Sequence, residues 1–184
     1  MPKITNQFKE AIAEIPKKEL EKLLLKIAAK DKQFHNFVVV NFVNKESGEK
    51  DLFDQAVSDI EKLMFKGYKG ISDELKMANM LAACNKRIDE FGKFCKDNTL
   101  LLDLVMIVLK KPFSLPTRMF ETCFTNYNYR VFLLLKKAIT ILETKLHEDY
   151  RIQYVPTLNG YLEVFHRTSS HLDYVYVMQH KINS

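Results

Sequence analysis

Asn98-Thr-Leu-Leu-Leu-Asp103-Leu-Val-Met-Ile-Val-Leu-Lys-Lys111 is apolar from Leu100 to Leu109 except at Asp103. A helix greasy on nearly every side has to be covered on nearly every side. Leu100 to Leu109 would rise roughly 15 Å, about half of the ~30 Å hydrocarbon layer of a bilayer, so the stretch predicts a buried central helix rather than a membrane span. Asn98 or Thr99 is placed to cap its start, Lys110 and Lys111 suit its negative end, and Pro112 predicts its stop. Thr99, Asp103 and Lys110 fall on one narrow face, which makes Asp103 a surface group rather than a buried acid.

Immediately upstream, Met77, Leu81, Cys84, Ile88, Phe91 and Cys95 recur at alternating spacings of four and three, one face of a long helix. Ser72 is its predicted cap, with Asp73 and Glu74 in the first turn and Lys86 and Lys93 on the wet side. A tight turn around Lys96 to Asn98 would pair this helix with the Leu100 helix as an antiparallel hairpin.

The 184 residues are 47% apolar, enough for one self-sufficient core, and a single all-helical domain over 1–184 is expected. Five glycines and five prolines supply little material for many tight turns or a flexible linker. The net charge of +5 invites a nucleic-acid reading. Arg87, Arg118, Arg130, Arg151 and Arg167 are the only arginines, and lysines alternate with acids, as in Lys17-Lys18-Glu19-Leu20-Glu21-Lys22, which is the pattern of a solvated helix face. Nucleic acid is therefore disfavoured as a partner but stays open. Cys84, Cys95 and Cys123 form no CxxC pair and read as small buried hydrophobes in a reducing compartment. Met1 to Glu14 lacks a continuous hydrophobic run, so no signal peptide is expected and the cytoplasm is the default location.

Along the rest of the chain, Phe8, Ala11, Ile12 and Ile15 predict a short amphipathic helix. Pro16 opens a second one with Leu20, Leu23, Leu24 and Ile27 as its buried stripe. Asp31 should cap Phe34 to Val43, which reads as helix although Phe37-Val38-Val39-Val40 has strong strand propensity. Ser47-Gly48 breaks the chain, and Leu52, Phe53, Ala56, Val57, Ile60, Leu63 and Met64 rebuild a stripe ending at Gly67. Lys66-Gly67-Tyr68-Lys69-Gly70 lacks the strand and the Gly-Lys-Ser/Thr ending of a phosphate loop. Leu115, Met119, Phe120, Cys123, Phe124 and Tyr127 predict a helix face after Pro116, with a turn or kink at Asn126 and Asn128.

From Tyr129 a further helix carries Val131, Phe132, Leu134, Leu135, Ala138, Ile139, Ile141, Leu142 and Leu146 inward. Lys136, Lys137, Thr140, Glu143, Thr144, His147 and Glu148 form its wet face. Tyr150 to Pro156 reads as irregular. Leu158, Tyr161, Leu162 and Phe165 restart a helix that Thr168-Ser169-Ser170 interrupts, before a last segment from His171 to His180 and a frayed end. The expected fold is all-α: an irregular bundle of seven to nine helices in antiparallel pairs around a buried central helix, with a short α-solenoid of hairpins as the alternative.

Polar groups that no solvated stripe explains gather late: His147, Asp149, Glu163, His166, Arg167, His171 and Asp173. Histidine beside carboxylate can ligate a metal or exchange protons near neutral pH. Glu163-x-x-His166 has the spacing of di-iron helical sites, but no second copy exists, and the chain shows no catalytic constellation, metal set or cofactor motif. His147 with Glu143 reads as an ordinary surface pair. Asn85 and Arg87 flank the long helix's stripe, where a polar group bonds a neighbouring helix or lines a groove.

Pro16-Lys-Lys-Glu-Leu-Glu-Lys-Leu-Leu-Leu-Lys-Ile-Ala-Ala-Lys-Asp31, Met77-Ala-Asn-Met-Leu-Ala-Ala-Cys-Asn-Lys-Arg87 and Lys145-Leu-His-Glu-Asp-Tyr150 resemble segments of an uncharacterised family of bacterial, all-helical proteins. The resemblance spans most of the chain and implies one domain in a cytoplasmic bacterial setting, without any activity, cofactor or functional residue.

By elimination, the sequence reads first as a non-enzymatic helical protein that binds another macromolecule, most naturally a protein, through a groove between helices. An exposed patch holding Tyr127, Tyr129, Tyr150, Tyr154 or Tyr174 would favour that reading. The second reading is a metal-binding protein or enzyme built on the late histidines and acids, and the third is nonspecific nucleic-acid binding through lysines. The residues leave the oligomeric state open.

Overall fold

A computed structural model of the chain describes residues 3–43 and 48–183. Among them are ten α-helical segments and no strand, and they group into two units that meet at Gly48 and Glu49.

The first unit begins with α1 (Asn6–Ala13), capped by Thr5, whose hydroxyl accepts from the Phe8 amide. Pro16 precedes α2 (Lys17–Lys30). Asp31 accepts from the Gln33 and Phe34 amides and starts α3 (Lys32–Val38), which widens into a π-helical turn at Val39–Val43. The Phe34 to Val43 stretch is thus helical despite its valines. At the widening the Asn41 side chain donates to the Phe37 carbonyl, competing with the regular four-residue backbone bond. The expected burial of Leu20, Leu23, Leu24 and Ile27 is corrected: α1, α2 and α3 contain no buried residue, and Leu23, Leu24 and Ile27 are exposed. The stripe has the right period, but α3, which packs against α2, leaves most of it uncovered.

The second unit opens with α4 (Gly48–Phe65), whose first residue sits at the boundary. The predicted break at Ser47 lies outside the described residues. Ala56 and Ile60 are fully buried, and Phe53 meets Phe91 edge-on. Ser72 caps α5 (Asp73–Gly92) as the sequence predicts, and Leu81, Cys84, Ile88 and Phe91 are buried along it.

Next comes α6 (Asn98–Phe113), in which Leu102, Leu104, Val105, Val108 and Leu109 are wholly shielded from solvent. Two details differ from expectation. Asp97, not Asn98 or Thr99, is the cap and accepts from the Thr99 and Leu100 amides, because one residue earlier puts a carboxylate at the positive end. Pro112 lies inside the last turn, and the helix closes beyond it with Ser114 donating to the Lys110 carbonyl.

The turn between α5 and α6 is held from outside by Glu49 of α4, whose carboxylate accepts from the Lys96 and Asp97 amides at 3.1 Å each. At its entrance a Cβ on Gly92 would come 3.2 Å from a Leu101 methyl, so the missing side chain is what lets α6 return close along α5.

The helix predicted after Pro116 is replaced by one 3₁₀ turn at Thr117–Phe120. Asn126 and Asn128 do not kink the chain: they begin α7 (Asn126–Lys145). Asn128 is buried and donates to the Phe120 carbonyl at 2.7 Å and to the Ser169 hydroxyl at 2.8 Å, so a residue suited to turns serves as a core bracket. Along α7 the predicted inward residues from Val131 to Leu142 are buried, and α5, α6 and α9 (Val155–Ser169) pack against it.

Before α9 comes one turn, α8 (Glu148–Arg151), and Tyr154, expected in an irregular loop, is buried at the start of α9. Thr168 and Ser169 do not interrupt α9 but form its buried last turn. After the single turn α10 (Asp173–Tyr176), the end of the described chain is pinned rather than frayed. Asn159 accepts from the Ile182 amide and donates to the Ile182 carbonyl, and the Ile182 side chain is buried.

Truncating Leu104 to Ala, in the middle of α6, should lower unfolding stability by about 2–5 kcal/mol through lost apolar burial and the cavity left behind. Urea unfolding followed by circular dichroism measures it, with the Phe65→Ala change at the exposed end of α4 as the near-neutral control.

Candidate functional site

A groove of about 470 Å³ runs along α7 where α5 and α6 meet it. Its apolar lining is Leu101 and Leu133, which are half-buried, with Ile88 and Ile141 buried beside them, and Lys93, Lys136, Lys137 and Lys145 form its rim. Spacing on α7 explains this segregation. Leu133, then Lys136 with Lys137, then Thr140 with Ile141, then Lys145 recur once per helical turn, so they line the border between the buried stripe and the wet face.

Among the described residues that line the groove, Asp89 is the single carboxylate. The Lys137 ammonium donates both to it and to the Asn85 side-chain oxygen, so that pair is largely compensated. Lys93, Lys136 and Lys145 then give the rim its net positive field over an apolar bed. Asn85 and Arg87 both tie helices together, since Arg87 Nε donates to Asp59 of α4 at 2.9 Å.

Lys136 and Thr140 also line a smaller depression of about 140 Å³ on the other side of the α7 ridge, with Phe132, Ile139, Val177 and Met178. The chain end is held there by Gln179, which donates to the Glu143 carboxylate at 2.7 Å. Beside it Tyr129, Phe132 and Tyr174 form an aromatic cluster with ring centroids 4.9 to 6.1 Å apart. Of the five tyrosines singled out by sequence, Tyr127 and Tyr154 are buried, Tyr174 is half-buried, and Tyr129 and Tyr150 are exposed.

The late polar residues are placed as follows. His147 caps α8 and lies 3.1 Å from the Asp149 carboxylate, so its predicted pairing with Glu143 is corrected: Glu143 binds Gln179 instead. Arg151 caps the end of α7 by donating to the Leu146 and Glu143 carbonyls. Glu163, Arg167, His171 and Asp173 are exposed. His166 stacks on His180 with centroids 3.8 Å apart and contacts the Gln179 carbonyl. Among the described residues no group of three or more His, Cys, Asp or Glu side chains is placed to hold a metal ion.

Asp103, expected at the surface, is half-buried and accepts from the Tyr154 hydroxyl at 2.7 Å. Burial, followed by that carboxylate, pushes the Tyr154 phenol up. Cys84 is buried as expected, and its thiol is raised to about 11 by burial. Cys95 is half-buried, and burial with the nearby Glu49 raises it to about 12. Cys123 is exposed, because the helix face that would have turned it inward does not form.

The sequence marks Lys93, Lys136 and Lys137 as wet and Ile88, Leu101 and Ile141 as buried, each on its own helix, and singles out neither Leu133 nor Lys145. It does not show that these helices meet here, because Asp89 and Lys137 stand 48 positions apart. Among the described residues no helix is long and apolar enough to cross a membrane. Compared with models of protein families, with curated proteins and with solved structures, the chain matches none.

Burial, with a smaller contribution from His180, holds the His166 imidazole below its ordinary value of 6.5 despite its contact with the Gln179 carbonyl. The unfolded chain therefore binds this proton more readily, so His166 should make stability fall as pH drops below about 6.5 and level off below the folded value. Nuclear magnetic resonance titration should find His166 titrating below 6.5 and moving upward in His180→Gln.

Proposed function

We propose that the unit from Glu49 to Ser184 is a non-enzymatic docking module whose groove along α7 binds an acidic amphipathic helix of a protein partner. The observation that carries this reading is the groove's composition: four lysines and a single aspartate around Ile88, Leu101, Leu133 and Ile141. An apolar bed takes the leucine-type anchors of one helix face, and a cationic rim takes the carboxylates beside them. Its volume lies within the ~300–1,000 Å³ of sites that enclose compact apolar groups.

A phosphate backbone has no use for such a bed, and nucleic-acid grooves favour arginine and stacking aromatics over isolated lysines. Tyr129 and Tyr174, close to the second depression on the shared α7 ridge, extend the surface with the residue type that anchors protein interfaces.

The probe is a fluorescein-labelled 14-residue amidated helix with Leu at i, i+3, i+4 and i+7 and Glu on both flanks. Saturable binding that weakens with salt is expected. The double variant Lys93→Glu and Lys136→Glu should lower affinity on the order of tenfold or more, and a probe with Lys in place of Glu should not bind. Absence of saturable binding, or equal binding of the two probes, would contradict the proposal. A gel shift of labelled single-stranded RNA at about 50 mM salt, lost in the same variant, would assign the rim to nucleic acid.

A further inference from the structure

We infer that α2 is the seam of a homodimer, pairing antiparallel with α2 of a second copy. Three observations lead there. Among the described residues the helices α1, α2 and α3 bury none, although Val40 of the following π-helical turn is buried. A segment of roughly 40 residues without a core does not hold its structure alone, so its apolar faces need a cover. Beside α2 lies a groove of about 450 Å³ lined by Leu24, Leu25, Ala28, Phe34, Phe37, Val38 and Phe42, without a polar side chain.

The second observation is the symmetry of the stripe. Leu20, Leu23, Leu24 and Ile27 are spaced evenly about the point between Leu23 and Leu24. A two-fold axis through that point sets Leu20 against Ile27 of the second copy and Leu23 against its Leu24. Ridges at these spacings are those that interdigitate when helices pack.

Charge is the third and selects the occupant. At about 100° per residue, Glu19, Lys26 and Lys30 lie on the same border of the stripe. Across an antiparallel two-fold seam, each border faces the same border of the other copy. Glu19 then falls level with position 28 of the second copy, between its Lys26 and Lys30, and symmetry repeats the contact. A parallel pair would leave Lys26 and Lys30 beside Ala28, with Asp31 as the nearest carboxylate, already engaged by the Gln33 and Phe34 amides. An anionic lipid surface would attract the lysines but repel Glu19 and Glu21, whereas a second copy satisfies Glu19. One helix pair with its flanks is a small interface, so the dimer belongs to the weaker, concentration-dependent class.

Sedimentation equilibrium on the full chain, from about 1 to 200 µM, tests this. Wild type should shift from monomer to dimer. Leu23→Asp, at a position already exposed, should stay monomeric while keeping its helical circular dichroism. Glu19→Lys should raise the dissociation constant on the order of tenfold, and adding Lys26→Glu with Lys30→Glu should restore it. A wild type that is monomeric throughout, or a dimer indifferent to Leu23→Asp and to the charge exchange, overturns the inference. So does flotation of wild type, but not Leu23→Asp, with phosphatidylglycerol vesicles while both remain monomeric, which would assign the stripe to lipid.

Discussion

Water has to be kept from α6 on almost every side, and the arrangement of the larger unit follows from that requirement. A helix whose leucines and valines face in all directions cannot sit at the edge of a bundle without leaving apolar area wet, at a cost of about 25 cal/mol per Å². Its neighbours α5 and α7 are therefore drawn against it, and its own polar break, Asp103, is met by a hydroxyl from the start of α9. Glu49 holds the turn that delivers α6 to this position, and Asn128 fastens α7 to the 3₁₀ turn and to α9.

Enclosing one helix leaves the enclosing helices with borders. At the border of α7, where we propose docking, a buried stripe gives way to lysines over a bed that α5 and α6 complete. Binding energy at such a place comes from the apolar floor, while the charged rim sets partner choice and encounter rate. The proposed acidic helix is the ligand that uses both. In the first unit the balance is reversed: amphipathic helices are present, but the described residues of α1, α2 and α3 bury none of their apolar side chains.

Periodicity made the long helices legible, because α5, α6 and α7 each bury a face that repeats at three and four residues. Residues whose partners lie far along the chain were not legible. Asn128 has the local signature of a turn, yet its partners are Phe120 and Ser169. Tyr154 sits in a stretch without pattern and is buried through Asp103, and the chain end is held by Asn159, 23 positions earlier. The α2 stripe was legible as a stripe, but a pattern states that a face wants cover, not what supplies it. The groove was hidden for the same reason, being made of residues from three helices, some read as wet and others as buried.

Native-state hydrogen exchange on the full chain tests the enclosure of α6 most directly. The account predicts that the amides of Leu104 to Leu109 exchange last, at a rate set by global unfolding and with the full denaturant dependence of that transition. Exchange of those amides as fast as that of α2, or through a local opening insensitive to denaturant, would contradict it.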